Sequence, residues 1–270
     1  MGIDRLKLAG AIKVFAFFAY FIYFYIFNSN LSYYIPSEKD GYSFKKDLIN
    51  NKCLLLLGGS NVLLGLSSEL LSKNFCEASN LGLNAEFKGF YNYSKWLGYD
   101  LKSKNIIYSS AFFYSISIDD EESTSIEIPN ISLFTILKNV FIDPRIKFSR
   151  RGDFINYKCN SYIESFEINP DKFLKSNNVV SKEINKRVSI LRNLTNLENI
   201  YFRIPPIYVD NKKDFELYTY LIRQRIEHLK YFNIKIIGET IVSTDSSLFC
   251  DSFHPNAKGR KEFTKETVFP

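Results

Sequence analysis

From Asn51 onward, short apolar runs alternate with stretches of helical periodicity. KCLLLLGG (52–59) is a continuous apolar run ended by two glycines, the pattern of a strand buried on both faces. NVLLGLSSELLSKN (61–74) follows with helical spacing, and FCEASNLG (75–82) predicts a second strand. EFKGFYNYSKWLGYDL (86–101) spaces Phe87, Phe90, Tyr93, Trp96 and Leu97 as a helix does. NIIYSSAFF (105–113) predicts a third strand and SLFTILKNVF (132–141) another helix. Residues 143–176 are irregular and polar, and are expected to form an insertion or lid near the site. Beyond them come a helix at VVSKEINKRVSILRNL (179–194), a strand at NIYFRIPP (199–206), and a long amphipathic helix at DFELYTYLIRQRIEHLKYF (214–232). A fifth strand at NIKIIGET (233–240) and a closing helix at PNAKGRKEFTKE (255–266), with Pro255 in its first turn, complete the order. This rhythm predicts an α/β fold of three layers, with a mostly parallel five-stranded sheet between helices. In such sheets sites lie at the carboxyl ends of the strands. No internal repeat is visible.

The amino-terminal pattern is different. LAGAIKVFAFFAYFIYFYIF (8–27) carries one charge, Lys13, in 20 residues, and a helix of about 20 residues spans a bilayer core. Lys13 can snorkel to the near interface, and Arg5 and Lys7 place that end in the cytoplasm by the positive-inside rule. A cleaved signal peptide would need a small-residue cleavage site, whereas IFNSNLSYYIP follows the apolar stretch. A buried helix of a soluble core would show a polar face. The segment therefore reads as one uncleaved transmembrane anchor. The expected order is a cytoplasmic tip (1–7), the anchor (8–27), a polar tether (28–50) and a globular domain (51–270) on the outer side of the cytoplasmic membrane.

The chain has 270 residues, enough for one sizeable domain and a tail, and 46% are hydrophobic, enough for a packed core. The net charge is +6, from 35 basic and 29 acidic residues, and FSRRGDF (148–154) is the one tight basic cluster. A nucleic-acid partner would call for a concentrated basic stripe, so none is expected. A mild basic surface suits an acidic polysaccharide or an anionic membrane face, although a solvated surface is the plainer reading. The acidic run DDEESTSIE (119–127) reads as a solvated loop. Cys53, Cys76, Cys159 and Cys250 form no CxxC pair and have no histidine cluster beside them, which argues against zinc. Buried free thiols are the favoured reading, with a bridge left open for an extracytoplasmic domain.

Candidate chemistry starts at GGS, where Gly58 and Gly59 let the chain turn sharply and Ser60 opens a helix. Ser60 fits a helix cap. It equally fits a nucleophile beside free N–H groups that can hold an oxyanion. Neither GK[ST] nor GxGxxG is present, so no nucleotide and no other cofactor is expected. Only His228 and His254 can serve as a base. His228 lies on an amphipathic helix and reads as a surface or packing residue. His254 lies in CDSFHPNAKGRKEF (250–263), three residues after Asp251, a spacing that lets a carboxylate hold one ring nitrogen while the other faces a nucleophile. Gly259 permits close packing of the final helix.

Taken together, strand–Gly–Gly–Ser–helix near the start and D-x-x-H-P-N near the end resemble the SGNH, or GDSL-like, hydrolase family. The resemblance covers residues 51–265. It implies Ser60 as nucleophile, His254 as general base, Asp251 as its orienting carboxylate, and the Ser60 N–H as one oxyanion donor. A glycine after the second strand supplies another donor in that family, and in SNLGLNAEF (79–87) Gly82, Asn84 and Ala85 are the candidates. The family's G-x-N-D element after the third strand is replaced here by SSAFFYS, with Tyr114 as a possible substitute donor. The resemblance implies acyl transfer or ester hydrolysis through an acyl-serine. With the anchor, it is similar to membrane-tethered members that acylate or deacylate cell-surface polysaccharides, whose expected partner is a multi-span membrane acyltransferase. A lipid esterase and a non-catalytic glycan-binding or assembly protein on the same fold are the alternatives.

Overall fold

Leu54, Leu55, Leu56 and Leu57 are all fully buried. Leu55 and Leu57 point into one hydrophobic core, Leu54 and Leu56 into another. Side chains alternate across a strand, so a strand covered on both faces needs an apolar residue at every position, and burying each leucine contributes roughly 1.5–3 kcal/mol.

The computed structural model describes residues 18–19, 33–34, 52–82, 105–116, 147–148, 151–155, 159, 162–195, 199–238 and 240–267. In chain order the elements are β1 (Tyr33–Tyr34), β2 (Leu54–Gly58), α1 (Ser60–Gly65), α2 (Ser68–Asn74), β3 (Ala78–Asn80) and β4 (Asn105–Ser109). After a 3₁₀ turn (Ala111–Tyr114) come β5 (Lys147–Phe148), β6 (Phe154–Ile155), α3 (Pro170–Thr195), β7 (Ile200–Arg203) and β8 (Ile207–Tyr208). The remainder are α4 (Lys212–Tyr231), β9 (Lys235–Ile237), β10 (Val242–Ser243), a 3₁₀ turn (Ser246–Leu248) and α5 (Ala257–Lys265). The main sheet has the order β3-β2-β4-β7-β9, and every pairing in it is parallel. One face packs on α3 and α4 through Phe173, Val180, Ile184, Leu221 and Leu229. The other packs on α1 and α2 through Val62, Leu66 and Leu71. The chain leaves β2 for β3 on one side and returns to β4 on the other, so the topological switch point falls between β2 and β4, where ligands bind in open sheets of this kind.

Several expectations are corrected. The first predicted helix is two, α1 and α2, because Leu66 and Ser67 are extended and the Ser67 hydroxyl caps α2 by accepting from Leu70 N–H. Helix α3 begins at Pro170 rather than Val179 and runs 26 residues; Pro at a first helical position loses no intrahelical bond. Pro255 precedes the last helix instead of lying in it. Asn256 is the cap, accepting from the N–H groups of Lys258 and Gly259. The predicted insertion includes β5 and β6, antiparallel with each other, with β5 paired to β1. Its residues Arg151 and Asp153 fasten to α2 and β3: Asp153 accepts from Ser68 N–H at 2.9 Å, and Arg151 pairs with Glu77 at 2.9 Å. The parallel pair β8–β10 has no counterpart in the periodicity, since two-residue strands carry none.

The cysteines are paired, Cys53 with Cys76 and Cys159 with Cys250, against the free-thiol expectation. Cys53 precedes β2 and Cys76 precedes β3; these strands are register neighbours, so their starts lie side by side. The predicted helices at 86–101 and 132–141 lie outside the described residues, as does the anchor apart from residues 18–19. Among the described residues no helix is long and apolar enough to cross a membrane.

Candidate active site

Gly58 ends β2 with φ +147, and a Cβ there would sit 1.9 Å from the Ser109 carbonyl oxygen and 2.7 Å from Val62. Only glycine lets β2 turn so tightly against the end of β4. Gly59 then takes the cap position of α1, and Ser60 is the first helical residue. Ser60 is thus not the cap. Its hydroxyl points away from the helix, to His254. The next residue, Asn61, is buried and donates to the Ser109 hydroxyl at 2.7 Å, tying the start of α1 to β4.

The second half of the site is a short closed loop. Phe249 and Pro255 form a bridge across its neck, and the Cys250 N–H donates to the His254 carbonyl at 2.7 Å. Inside it, Asp251 Oδ1 accepts from the N–H groups of Phe253 and His254 at 2.9 and 2.8 Å, while Oδ2 lies 2.8 Å from His254 Nδ1. Asn256 closes the neck from outside, donating to the carbonyls of Ser247 and Phe249 as it caps α5. The Tyr208 N–H donates to the Ser252 carbonyl at 2.9 Å and docks the loop on β8. Cys250 joins it to Cys159. Each residue of DSFHPN thus has a local task, which is why the motif is compact in sequence.

His254 Nε2 lies 2.8 Å from Ser60 Oγ, across 194 positions of sequence. Burial works to raise the Asp251 carboxyl, but the bonds from the His254 ring and from two backbone N–H groups prevail and hold it below the usual carboxylate value. Asp251 is therefore ionised at neutral pH and accepts only. That assigns the proton on Nδ1 to the Asp251 bond and leaves the Nε2 lone pair to accept from the Ser60 hydroxyl. The His254 and Asp251 side chains keep 20% and 29% exposure, so the dyad is open to a substrate.

Ser60, Asp251 and His254 are thus brought together at the switch-point end of the sheet. The other predicted donors differ. The Gly82 N–H donates to Asn80 Oδ1 at 2.9 Å, so it is engaged within its own turn rather than aimed at an oxyanion. Gly82 packs so closely on α1 that a Cβ would lie 2.6 Å from Leu63 N. Asn84 and Ala85 lie outside the described residues. The Tyr114 hydroxyl donates to the Pro205 carbonyl at 2.6 Å and is not a free donor either. The N–H groups of Ser60 and Asn61 open α1 and have no intrahelical acceptor. His228 is exposed in the last turn of α4. Among the described residues no group of three or more His, Cys, Asp or Glu side chains could hold a metal ion.

Two supports escape a reading by motif. Asn80 is fully buried; its amide donates to the carbonyls of Val62 and Leu66 and to Asp153, clamping α1 to β3. Arg225 is buried beneath the 3₁₀ turn after β4, donating to the carbonyls of Phe113, Ser115 and Phe173, to Asn177 and to Ser176. Burial pushes its guanidinium down to about 9, still charged at neutral pH, and it lies 3.5 Å over the Phe173 ring. Spacing alone marks neither residue, because their acceptors lie on other segments of the chain.

No family model matches the chain, and no curated protein matches it. Solved structures that match include a lipase from a goat rumen metagenome, 13% identical with a TM-score of 0.43 over 79% of this chain and 94% of that one. An acetyl xylan esterase from the rumen bacterium Butyrivibrio proteoclasticus is 11% identical with a TM-score of 0.40, over 79% of this chain and 61% of that one. This chain thus spans less than two thirds of that esterase's length.

Proposed function

We propose that the protein is an SGNH-type serine enzyme that transfers or hydrolyses acyl esters of a cell-surface polysaccharide. The observation that carries this reading is the continuous chain from Ser60 Oγ to His254 Nε2 and from Nδ1 to Asp251, both links at 2.8 Å. Ser60 Oγ attacks the ester carbonyl carbon while its proton passes to Nε2. The imidazolium, stabilised by Asp251, returns that proton to the alkoxy oxygen as the carbon–oxygen bond breaks, leaving an acyl-Ser60 and a free alcohol. Water or a second alcohol then repeats the steps in reverse, regenerating Ser60. The Ser60 N–H is one proposed oxyanion donor, with Asn84 and Ala85 as further ones. Water as acceptor makes an esterase; a sugar hydroxyl makes an O-acyltransferase.

The apolar segment at 8–27 supports a single-pass anchor with the domain outside the cytoplasmic membrane. The two disulfides suit an oxidising compartment. On this reading a multi-span membrane acyltransferase supplies the acyl group. A lipid esterase is the alternative within the same chemistry. The engaged N–H of Gly82 and hydroxyl of Tyr114 favour a second reading, a tethered glycan-binding protein without turnover.

The test uses the full chain in detergent, a fluorophosphonate probe and p-nitrophenyl acetate. Labelling that disappears in Ser60→Ala, with turnover in wild type alone, is the expected result. Equal labelling of the two proteins, or none of either, defeats the acyl-serine reading. Labelling without turnover supports the glycan-binding alternative.

A further inference from the structure

Three half-buried aromatic rings stand beside the base, one from each of three loops. Phe253 packs edge-on against the His254 ring with centroids 5.2 Å apart. Phe166 stacks on Phe253 at 5.9 Å, and Tyr114 meets both edge-on, at 5.1 Å from Phe166 and 6.0 Å from Phe253. All three rings pack on the core without being sealed inside it.

Their backbones are held. Tyr114 is anchored through its hydroxyl to the Pro205 carbonyl, and Arg225 grips the carbonyls of both its neighbours, Phe113 and Ser115. The Phe166 N–H donates to the Tyr208 carbonyl at 2.8 Å, and the Phe253 N–H to Asp251. Burying an arginine that has no carboxylate partner among the described residues is unfavourable unless its donors are satisfied. Here five contacts satisfy it, and two of them fix the turn that carries Tyr114. Hydrogen bonds thus hold the segments that carry all three rings.

The position of these rings tells which half of an ester they meet. In the tetrahedral intermediate on Ser60 the oxyanion faces N–H donors, and the alkoxy oxygen must face His254 Nε2 to receive its proton. The acyl group takes the remaining direction. The ring that borders His254 is Phe253, so the alcohol half lies over Phe253 and then Phe166. The rings are flat and uncharged, and an alcohol that exploits flat rings is itself a ring with a C–H face. A flexible alkyl alcohol gains nothing from planarity over an aliphatic lining.

We infer that Phe253 and Phe166, braced edge-on by Tyr114, form a subsite that stacks on a neutral sugar ring bearing the ester oxygen, and so select a cyclic sugar alcohol over an acyclic one. The inference rests on the acyl-serine reading above.

The full chain in detergent is assayed by pH-stat, with rates taken per ester, on methyl glucopyranoside tetraacetate, which has no labile anomeric ester, and on sorbitol hexaacetate, whose acetates sit on an open chain. Wild type is expected to show kcat/KM about tenfold higher for the ring. Phe166→Leu, which keeps apolar volume but removes the flat face, brings that ratio close to one, and Phe166→Tyr preserves it. Phe166 is the position of choice because it touches Phe253 and not His254. A wild-type ratio near one overturns the inference without any variant. Leu and Tyr variants with equal ratios overturn it as well. A protein that turns over p-nitrophenyl acetate through Ser60 yet cleaves neither sugar ester overturns the sugar subsite alone; one that does not label with fluorophosphonate overturns the acyl-serine reading and the subsite with it.

Discussion

Gly259→Ala separates the demands of the site from those of helix propensity. Gly259 lies inside α5, where alanine is favoured over glycine by about 1 kcal/mol. A Cβ at Gly259, however, would sit 2.0 Å from the Leu248 carbonyl oxygen and 2.9 Å from its carbon. A carbon rests against a carbonyl oxygen at about 3.3 Å, so helix and turn must separate by about 1.3 Å. The Leu248 carbonyl also accepts from Asn256 N–H, and its strand of chain leads within three residues to Asp251. If only half of that displacement reaches the loop, the 2.8 Å link from His254 to Ser60 stretches past the ~3.2 Å limit of a good hydrogen bond. Misplacement on the order of 1 Å at a reacting group lowers rate by about 100-fold. Overpacking costs about 1–3 kcal/mol, more than propensity returns. The expected outcome is kcat/KM for p-nitrophenyl acetate down by about 100-fold and a lower urea midpoint. Gly65→Ala is the contrast: its Cβ would meet only Pro255, at 3.8 Å, so stability rises by roughly 0.4–1 kcal/mol and activity holds. Wild-type activity in Gly259→Ala, or equal damage in both variants, refutes the reasoning.

Asp251→Asn keeps Oδ1 for the two backbone N–H groups but turns an amide NH₂ toward Nδ1–H; the imidazole takes the other tautomer, Nε2 no longer accepts from Ser60, and kcat falls by about 10³–10⁴-fold. Because the folded Asp251 carboxyl is held low, its stabilising contribution is complete above about pH 4, the unfolded value, and fades as pH falls through the folded value. Urea midpoints of wild type and Asp251→Asn should therefore converge below about pH 4, and a gap that widens on acidification contradicts the assignment. Arg225→Met strands buried carbonyls at Phe113, Ser115 and Phe173 and is expected to destabilise by about 3–5 kcal/mol, read from chemical denaturation; a change under 1 kcal/mol would show the grip to be dispensable. Asn80→Ala removes the clamp between α1 and β3 and should lower stability by about 2–3 kcal/mol, and an unchanged melting curve rules the clamp out. Peptide mapping without reduction is expected to recover Cys53 joined to Cys76 and Cys159 joined to Cys250, whereas alkylation of any of the four in the folded protein contradicts that pairing.

Local chemistry was legible in the chain wherever one element decides it. Four consecutive leucines require a strand covered on both faces, because no face of it tolerates water. GGS marks a sharp strand-to-helix turn, since the left-handed φ of Gly58 excludes a side chain. The three-residue step from Asp251 to His254 places a carboxylate within reach of an imidazole whatever surrounds it. The alternation of strand and helix was enough for the parallel sheet. Element ends were less legible: the first turns of α3 are polar and lysine-rich, and their helical state comes from Phe173 packing into the core beneath Arg225.

The remainder needed distant groups to meet. The D-x-x-H spacing favoured His254 over His228, but only the tertiary fold carries its imidazole across 194 positions of sequence to within 2.8 Å of Ser60 Oγ. It alone pairs the cysteines, by setting the starts of β2 and β3 side by side. It commits the Tyr114 hydroxyl to the Pro205 carbonyl, an acceptor 91 positions away that spacing cannot reveal. It also gathers Tyr114, Phe166 and Phe253 from three separate segments into one aromatic cluster. The physical reason is common to all four: a strand, a turn or a short motif is set by the covalent reach of a few residues, whereas the partner of a polar group is set by packing among elements that the chain brings together only once the core has closed.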